Sequence, residues 1–133
     1  RGDFHILQES TPNMNDPELI NAVVTVKNNG NVGIGSTTPN STLEVDGSFA
    51  TKIREASTGD INVDDHTVIF INTSAVTLPD PTICTGRIYV LKNVAGAALS
   101  IGNYEDSFGI ISNSLPTGVT WLQSDGVSWQ QIN

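Results

Sequence analysis

NVGIGSTTPNSTLEVDGSFAT, residues 31–51, is the stretch on which the reading of the chain turns. Gly30, Gly33 and Gly35 crowd together and suggest a nucleotide loop. The order is wrong for one. A dinucleotide fingerprint runs G-x-G-x-x-G, comes after a strand and opens a helix. Here the spacing is G-x-x-G-x-G, and it leads into Ser36-Thr37-Thr38-Pro39 and then the alternating Leu43-Glu44-Val45. No 3.6-residue apolar period appears, so no helix N-terminus is offered to a phosphate. No G-K-[ST] occurs either, so a P-loop is absent. The glycines need a backbone reason. One is a bulged strand in a monomeric sheet. The other is a strand whose Gly33 and Gly35 let backbones approach while Val32 and Ile34 meet a neighbouring strand or copies of themselves around a shared axis.

Composition limits the function classes. The 133 residues suit one domain, or one domain with an extension. Six Lys+Arg against 14 Asp+Glu leave a formal net charge of -8, which repels nucleic acid and anionic membranes. Charged residues are only 15%, and Ser, Thr, Asn and Gly take their place, as suits extended β structure with hydroxyl and amide surfaces. The single Cys84 excludes an internal disulfide. No apolar run is long enough to span a membrane. The chain begins at Arg1 and reads as a piece of a longer one, so the lack of a leader says nothing about compartment.

The pattern is β throughout. Alternation recurs at Val24–Val26, Leu43–Val45, Val68–Phe70, Val76–Leu78, Ile88–Val90, Leu99–Ile101 and Val119–Trp121, with turn residues between. The expected fold is all-β, a sandwich, barrel or prism built largely of antiparallel strands. The one helix candidate is a single turn at Asp16-Pro17-Glu18-Leu19-Ile20-Asn21. Asp125-Gly126, between two strand-like runs, predicts a hairpin with a tight primed turn. Two segments differ in apolar density. Residues 1–55 spread their large apolar side chains thinly and lack the area to offset chain ordering alone. Residues 56–133 hold both tryptophans and both tyrosines and suffice for a compact domain. The buried set expected there is Val68, Phe70, Val76, Leu78, Ile88, Val90, Leu99, Ile101, Val119 and Trp121.

A resemblance enters on two motifs. Gly30-Asn31-Val32-Gly33-Ile34-Gly35, with Thr38, Pro39, Leu43, Val45 and Gly47, resembles a repeat of phage tail and head fibres and of related bacterial surface proteins. Val76-Thr77-Leu78-Pro79, then Gly86-Arg87-Ile88-Tyr89-Val90-Leu91-Lys92-Asn93, then Leu122 to Trp129 through Ser124-Asp125-Gly126, resemble the C-terminal β domain of phage receptor-binding proteins. The resemblance implies a homotrimeric, extracellular virion fibre: residues 1–55 an intertwined shaft or neck, residues 56–133 a small antiparallel β-sandwich or β-prism head. It implies a trimer interface through Val32, Gly33, Ile34, Gly35, Leu43, Val45 and Phe49. Its partners would be a host cell-surface glycan or protein and other virion proteins. The alternatives are a capsid-decorating or cement protein, or a bacterial surface adhesin. Many relatives end in a self-cleaving chaperone domain with a Ser-Lys pair, and nothing in this sequence resembles one.

Catalytic chemistry is scarce. His5 and His66 are the two histidines, and no second His or Cys stands at ligand spacing from Asp64-Asp65-His66. No G-x-S-x-G occurs. Glycosidase carboxylates stand about 5–10 Å apart, whereas Glu105 and Asp106 are sequence neighbours. The expectation is no catalytic, metal or cofactor site. Arg1-Gly2-Asp3 spells an integrin tripeptide and is read as coincidence. Trp121 and Trp129 are read as core, with a shared sugar platform as the alternative. Recognition is expected at a loop, residues 102–109, through Tyr104, Glu105 and Asp106, the alternative being an ordinary acidic turn with Phe108 tucked into the core.

Overall fold

The computed structural model describes residues 2–7 and 22–133; the helix candidate at residues 16–21 and Arg1 lie outside them. Among these described residues strand makes up 47% and helix 3%, an all-β composition. It divides into two compact units, residues 1–50 and 51–133. The boundary falls ahead of residue 55 because residues 53–56 form a strand that pairs inside the second unit.

The first unit is a four-stranded sheet, β1 (Phe4–Leu7), β2 (Ala22–Val26), β3 (Val32–Ile34) and β4 (Leu43–Val45), in that spatial order. β1–β2 and β2–β3 are antiparallel, while β3–β4 is parallel. Parallel neighbours ordinarily need a crossover of a dozen or so residues. Here residues 35–42 suffice. The glycines make this possible. Gly35 sits at φ +74°, the left-handed region that a side chain disfavours, and a Cβ there would stand 2.9 Å from the Asp46 carbonyl oxygen. A Cβ on Gly33 would fall on the Ser36 carbonyl oxygen, where the chain doubles back over the strand. Within the chain, the GNVGIG stretch thus has a backbone reason: it forms β3 and opens a compressed parallel crossover.

The second unit is one eight-stranded mixed sheet, not the expected antiparallel sandwich or prism. Its strands are β5 (Ile53–Ala56), β6 (Thr67–Phe70), β7 (Ala75–Val76), β8 (Ile88–Asn93), β9 (Leu99–Glu105), β10 (Ile111–Leu115), β11 (Gly118–Ser124) and β12 (Trp129–Gln131). The order is β10-β9-β12-β11-β8-β6-β5, with β7 on β9. β5–β6, β6–β8, β7–β9 and β9–β12 run parallel because loops carry the chain back to the same end before it pairs again. One such loop, residues 57–66, is pinned by Asp65. Its fully buried carboxylate takes Arg54 Nη2 at 2.6 Å, Arg54 Nε at 3.0 Å and the Asn62 amide at 2.9 Å, with Lys52 at 3.3 Å.

The core gathers Ala56, Ile61, Val68, Phe70, Val76, Cys84, Tyr89, Leu91, Leu99, Ile101, Tyr104, Leu115, Leu122 and Trp129, all from the second unit. Tyr89 and Trp129 stack with ring centres 5.0 Å apart, and the indole N–H donates to the Pro79 carbonyl at 2.9 Å. Burial, with the Cys84 thiol alongside, pushes the Tyr89 phenol upward. Asn93 is buried and satisfied, donating to Ala97 and Leu115 carbonyls and accepting from the Ala95 amide.

Val68, Phe70, Val76, Leu99 and Ile101 are buried as expected, and Leu78 packs against the core. β8 and β11 are flipped relative to expectation. Tyr89 and Leu91 point inward instead of Ile88 and Val90, and Thr120, Leu122 and Ser124 replace Val119 and Trp121. These strands are neighbours in register, Leu122 opposite Tyr89 and Trp121 opposite Val90, so a single choice of face sets both.

Candidate functional site

The first unit's sheet has two unlike faces. Cross-strand partners put Phe4, Val26, Val32 and Leu43 in one row, and Ile6, Val24, Ile34 and Val45 in the next, eight apolar side chains on one face. None is buried: Phe4 is 62% exposed, Leu43 58%, Ile6 49% and Ile34 45%. The opposite face carries His5, Thr25, Gly33 and Glu44. There Thr25 is fully buried, and its hydroxyl meets His5 Nδ1 at 3.1 Å. Residues of the short crossover are bound to that unit's polar groups: Asn31 Nδ2 donates to the Pro39 carbonyl, and Glu44 accepts from the Asn40 amide, which holds its carboxyl below the ordinary range. The polar face is therefore the satisfied one, and the apolar face is left open.

The residues expected at a trimer interface fall unevenly on this frame. Val32, Ile34, Leu43 and Val45 lie on the open apolar face. Gly33 is buried on the other face, Gly35 makes the crossover turn, and Phe49 lies beyond the last strand, exposed. Phe4, Ile6, Val24 and Val26 complete the face. Their alternation is the signal that reveals them once the pairing is known.

Half of the expected recognition loop is strand. β9 runs through Glu105, and the turn is residues 106–110, where Asp106 Oδ1 accepts from the amides of Phe108 and Ile110 at 2.9 Å each. Tyr104 is 3% exposed and donates its hydroxyl to the Ser114 carbonyl at 2.9 Å, so it is a core residue and not a surface contact. The side chain that does project is Phe108, 86% exposed, with Ile110 and Ile111 close by in sequence and also exposed. Nor does Asp125-Gly126 make a two-residue primed turn. Residues 125–128 form the connection, Ser124 pairs with Trp129, and no non-glycine residue has positive φ among the described residues. Asp125 Oδ1 accepts from the amides of Val127 and Ser128 at 2.8 and 2.7 Å, which locks the wider turn.

The tryptophans part company. Trp129 is in the core, whereas Trp121 is 41% exposed on the opposite face of the same sheet. They share no platform. Asp64 and Asp65 bind Lys52 and Arg54, and His66 Nδ1 lies 3.1 Å from both the Thr51 and Thr67 hydroxyls. Among the described residues no three of His, Cys, Asp and Glu stand close enough to hold a metal ion, and no helix is long and apolar enough to cross a membrane. Asp3 is engaged by Lys27 at 2.6 Å and by the Asn28 amide at 2.8 Å, which ties the integrin-like tripeptide's carboxylate into the sheet edge. Comparison of the chain with family models, curated proteins and solved structures returned no match.

Proposed function

We propose that the chain is a non-enzymatic structural virion fibre protein, assembled as a homotrimer, whose second unit binds the host surface. The observation that carries the reading is the open face of the first sheet. Eight apolar side chains in two unbroken rows stay at least partly exposed, and among the described residues every member of the core cluster belongs to the second unit. A sheet face of this kind marks an interface. Its rows contain no charged or hydrogen-bonding side chain, so copies of a chain with net charge -8 meet there without like-charge contact. The resemblance of Gly30 to Gly47 to fibre repeats points the same way.

Sedimentation equilibrium at micromolar concentration should return three times the 14.1 kDa chain mass. A clean monomer with the first unit folded would sink the assembly reading. Electron microscopy of virions labelled with antibody to this chain then separates the classes. Label at the tail tip supports attachment; label on the capsid makes the chain a decorating or cement protein; label on bacteria alone makes it an adhesin.

A further inference from the structure

We propose that the outward face of the second sheet, centred on Trp121, is a binding platform for a neutral oligosaccharide. This deepens the host-surface reading and rests on it. Register places the face in rows. Glu105, Gln130, Gln123 and Ile88 stand side by side across four strands. In the next row Trp121, Val90, Thr67 and Ile53 come one after another, with Ile132 on the far side of Trp121, where its amide donates to the Trp121 carbonyl. Beyond lie Val119, Lys92, Ile69 and Glu55.

The middle row is apolar but for Thr67 and carries an indole, and the row beside it is polar but for Ile88. Residues two apart on a strand stand roughly 7 Å apart, about the span of one sugar ring. A pyranose laid with its C–H face on Trp121 therefore puts its hydroxyls over Gln123 and Gln130. Their side-chain nitrogens are already committed, Gln123 to the Gly86 carbonyl and Gln130 to Asp125 and Ser128. That fixes both amides and leaves their carbonyl oxygens as acceptors for hydroxyl donors. A shallow depression of about 200 Å³, lined by Gln123, Ser124, Asp125 and Gln130, adjoins this row.

The other candidate occupants fit less well. A second copy suits the first sheet's unbroken apolar rows, whereas both rows flanking Trp121 carry charge or amide groups. An anionic glycan meets one ammonium, Lys92, against Glu55 and Glu105 on a chain of net charge -8. The hairpin tip at Phe108 offers apolar surface, but its carboxylate, Asp106, is occupied by the turn.

The test passes the purified chain over immobilised neutral hexose and N-acetylhexosamine oligosaccharides, with sulfated and sialylated ones alongside. Tryptophan fluorescence titration with the free neutral sugars runs in parallel and needs no avidity, so it reads the platform even if the chain proves monomeric and the fibre reading falls. Retention on neutral glycans should weaken about tenfold in Trp121→Ala and also fall in Gln123→Ala, with thermal melting unchanged in the latter. Phe108→Ala should bind as the native chain does. The fluorescence response should vanish in Trp121→Phe, since Trp129 is buried. No retention or titration by any neutral glycan, retention that survives Trp121→Ala, preference for the anionic set, or loss through Phe108→Ala alone would each overturn the proposal.

Discussion

Asp65 shows what one side chain can decide. Its carboxylate is fully buried, and hydrogen bonds from Arg54, the Asn62 amide and Lys52 hold its pKa down from 3.8 to about 2. A depressed carboxyl pKa means that the folded state binds the proton less readily than the unfolded state. The stabilisation is therefore complete above about pH 4 and is lost as pH falls through about 2. The shift corresponds to about 2 kcal/mol. Urea unfolding of native chain and Asp65→Asn should differ by about that much or more near pH 6, because the variant leaves Arg54 facing an amide. Near pH 2 the two curves should converge. A gap of constant size across that range would mean that the ion pair does not pin the loop. The sequence sets Asp64 and Asp65 side by side; that the second carboxylate is the buried one is due to Arg54 on the adjacent strand, 11 residues away.

At the scale of the element, β11 separates period from phase. Its alternation is plain in the sequence, but Val119 and Trp121 outweigh Thr120, Leu122 and Ser124 in apolar bulk, so the heavier set reads as the inner one. The structure buries the lighter set. Thr120 and Ser124 are tolerable inside because no buried side-chain polar atom is left without a partner among the described residues, and Ser124 donates to the Pro81 carbonyl at 2.7 Å. Tyr89 and Leu91 on the paired strand reinforce the choice. Leu122→Ala should therefore cost about 2–5 kcal/mol in urea unfolding, and Val119→Ala less than about 1 kcal/mol. Equal losses, or the reverse order, would put the strand the other way round. The mixed direction of the sheet was less legible still, since parallel pairing is settled by where loops return the chain and not by any local pattern.

For the whole molecule, the division of labour between the units carries the next expectation. Among the described residues, the first unit leaves its apolar face exposed, and the large core cluster lies in the second. Leu43→Asp places a charge on the open face at its β4 edge, so three copies assembled through that face would bring three carboxylates into one apolar contact. The expected outcome is loss of the proposed trimer by sedimentation, with the near-ultraviolet signal of Tyr89 and Trp129 retained, since neither residue belongs to the first unit. A Leu43→Asp trimer as stable as the native one would show that the assembly surface lies elsewhere.

Composition and alternation were enough, from the sequence alone, for the all-β class, the thin first segment and the dense second one, because apolar content and a period of two are local properties. The glycine cluster was legible as a backbone constraint. That it serves a crossover compressed into residues 35–42 was not, since the clashes that forbid a side chain at Gly33 and Gly35 come from the Ser36 and Asp46 carbonyls once the chain has turned. Tertiary structure alone decided that Tyr104 faces the core, that Trp121 faces water and that eight apolar residues line up on one face. Each of these is a choice of side, and a strand's side is fixed by its neighbours' register, not by its own residues.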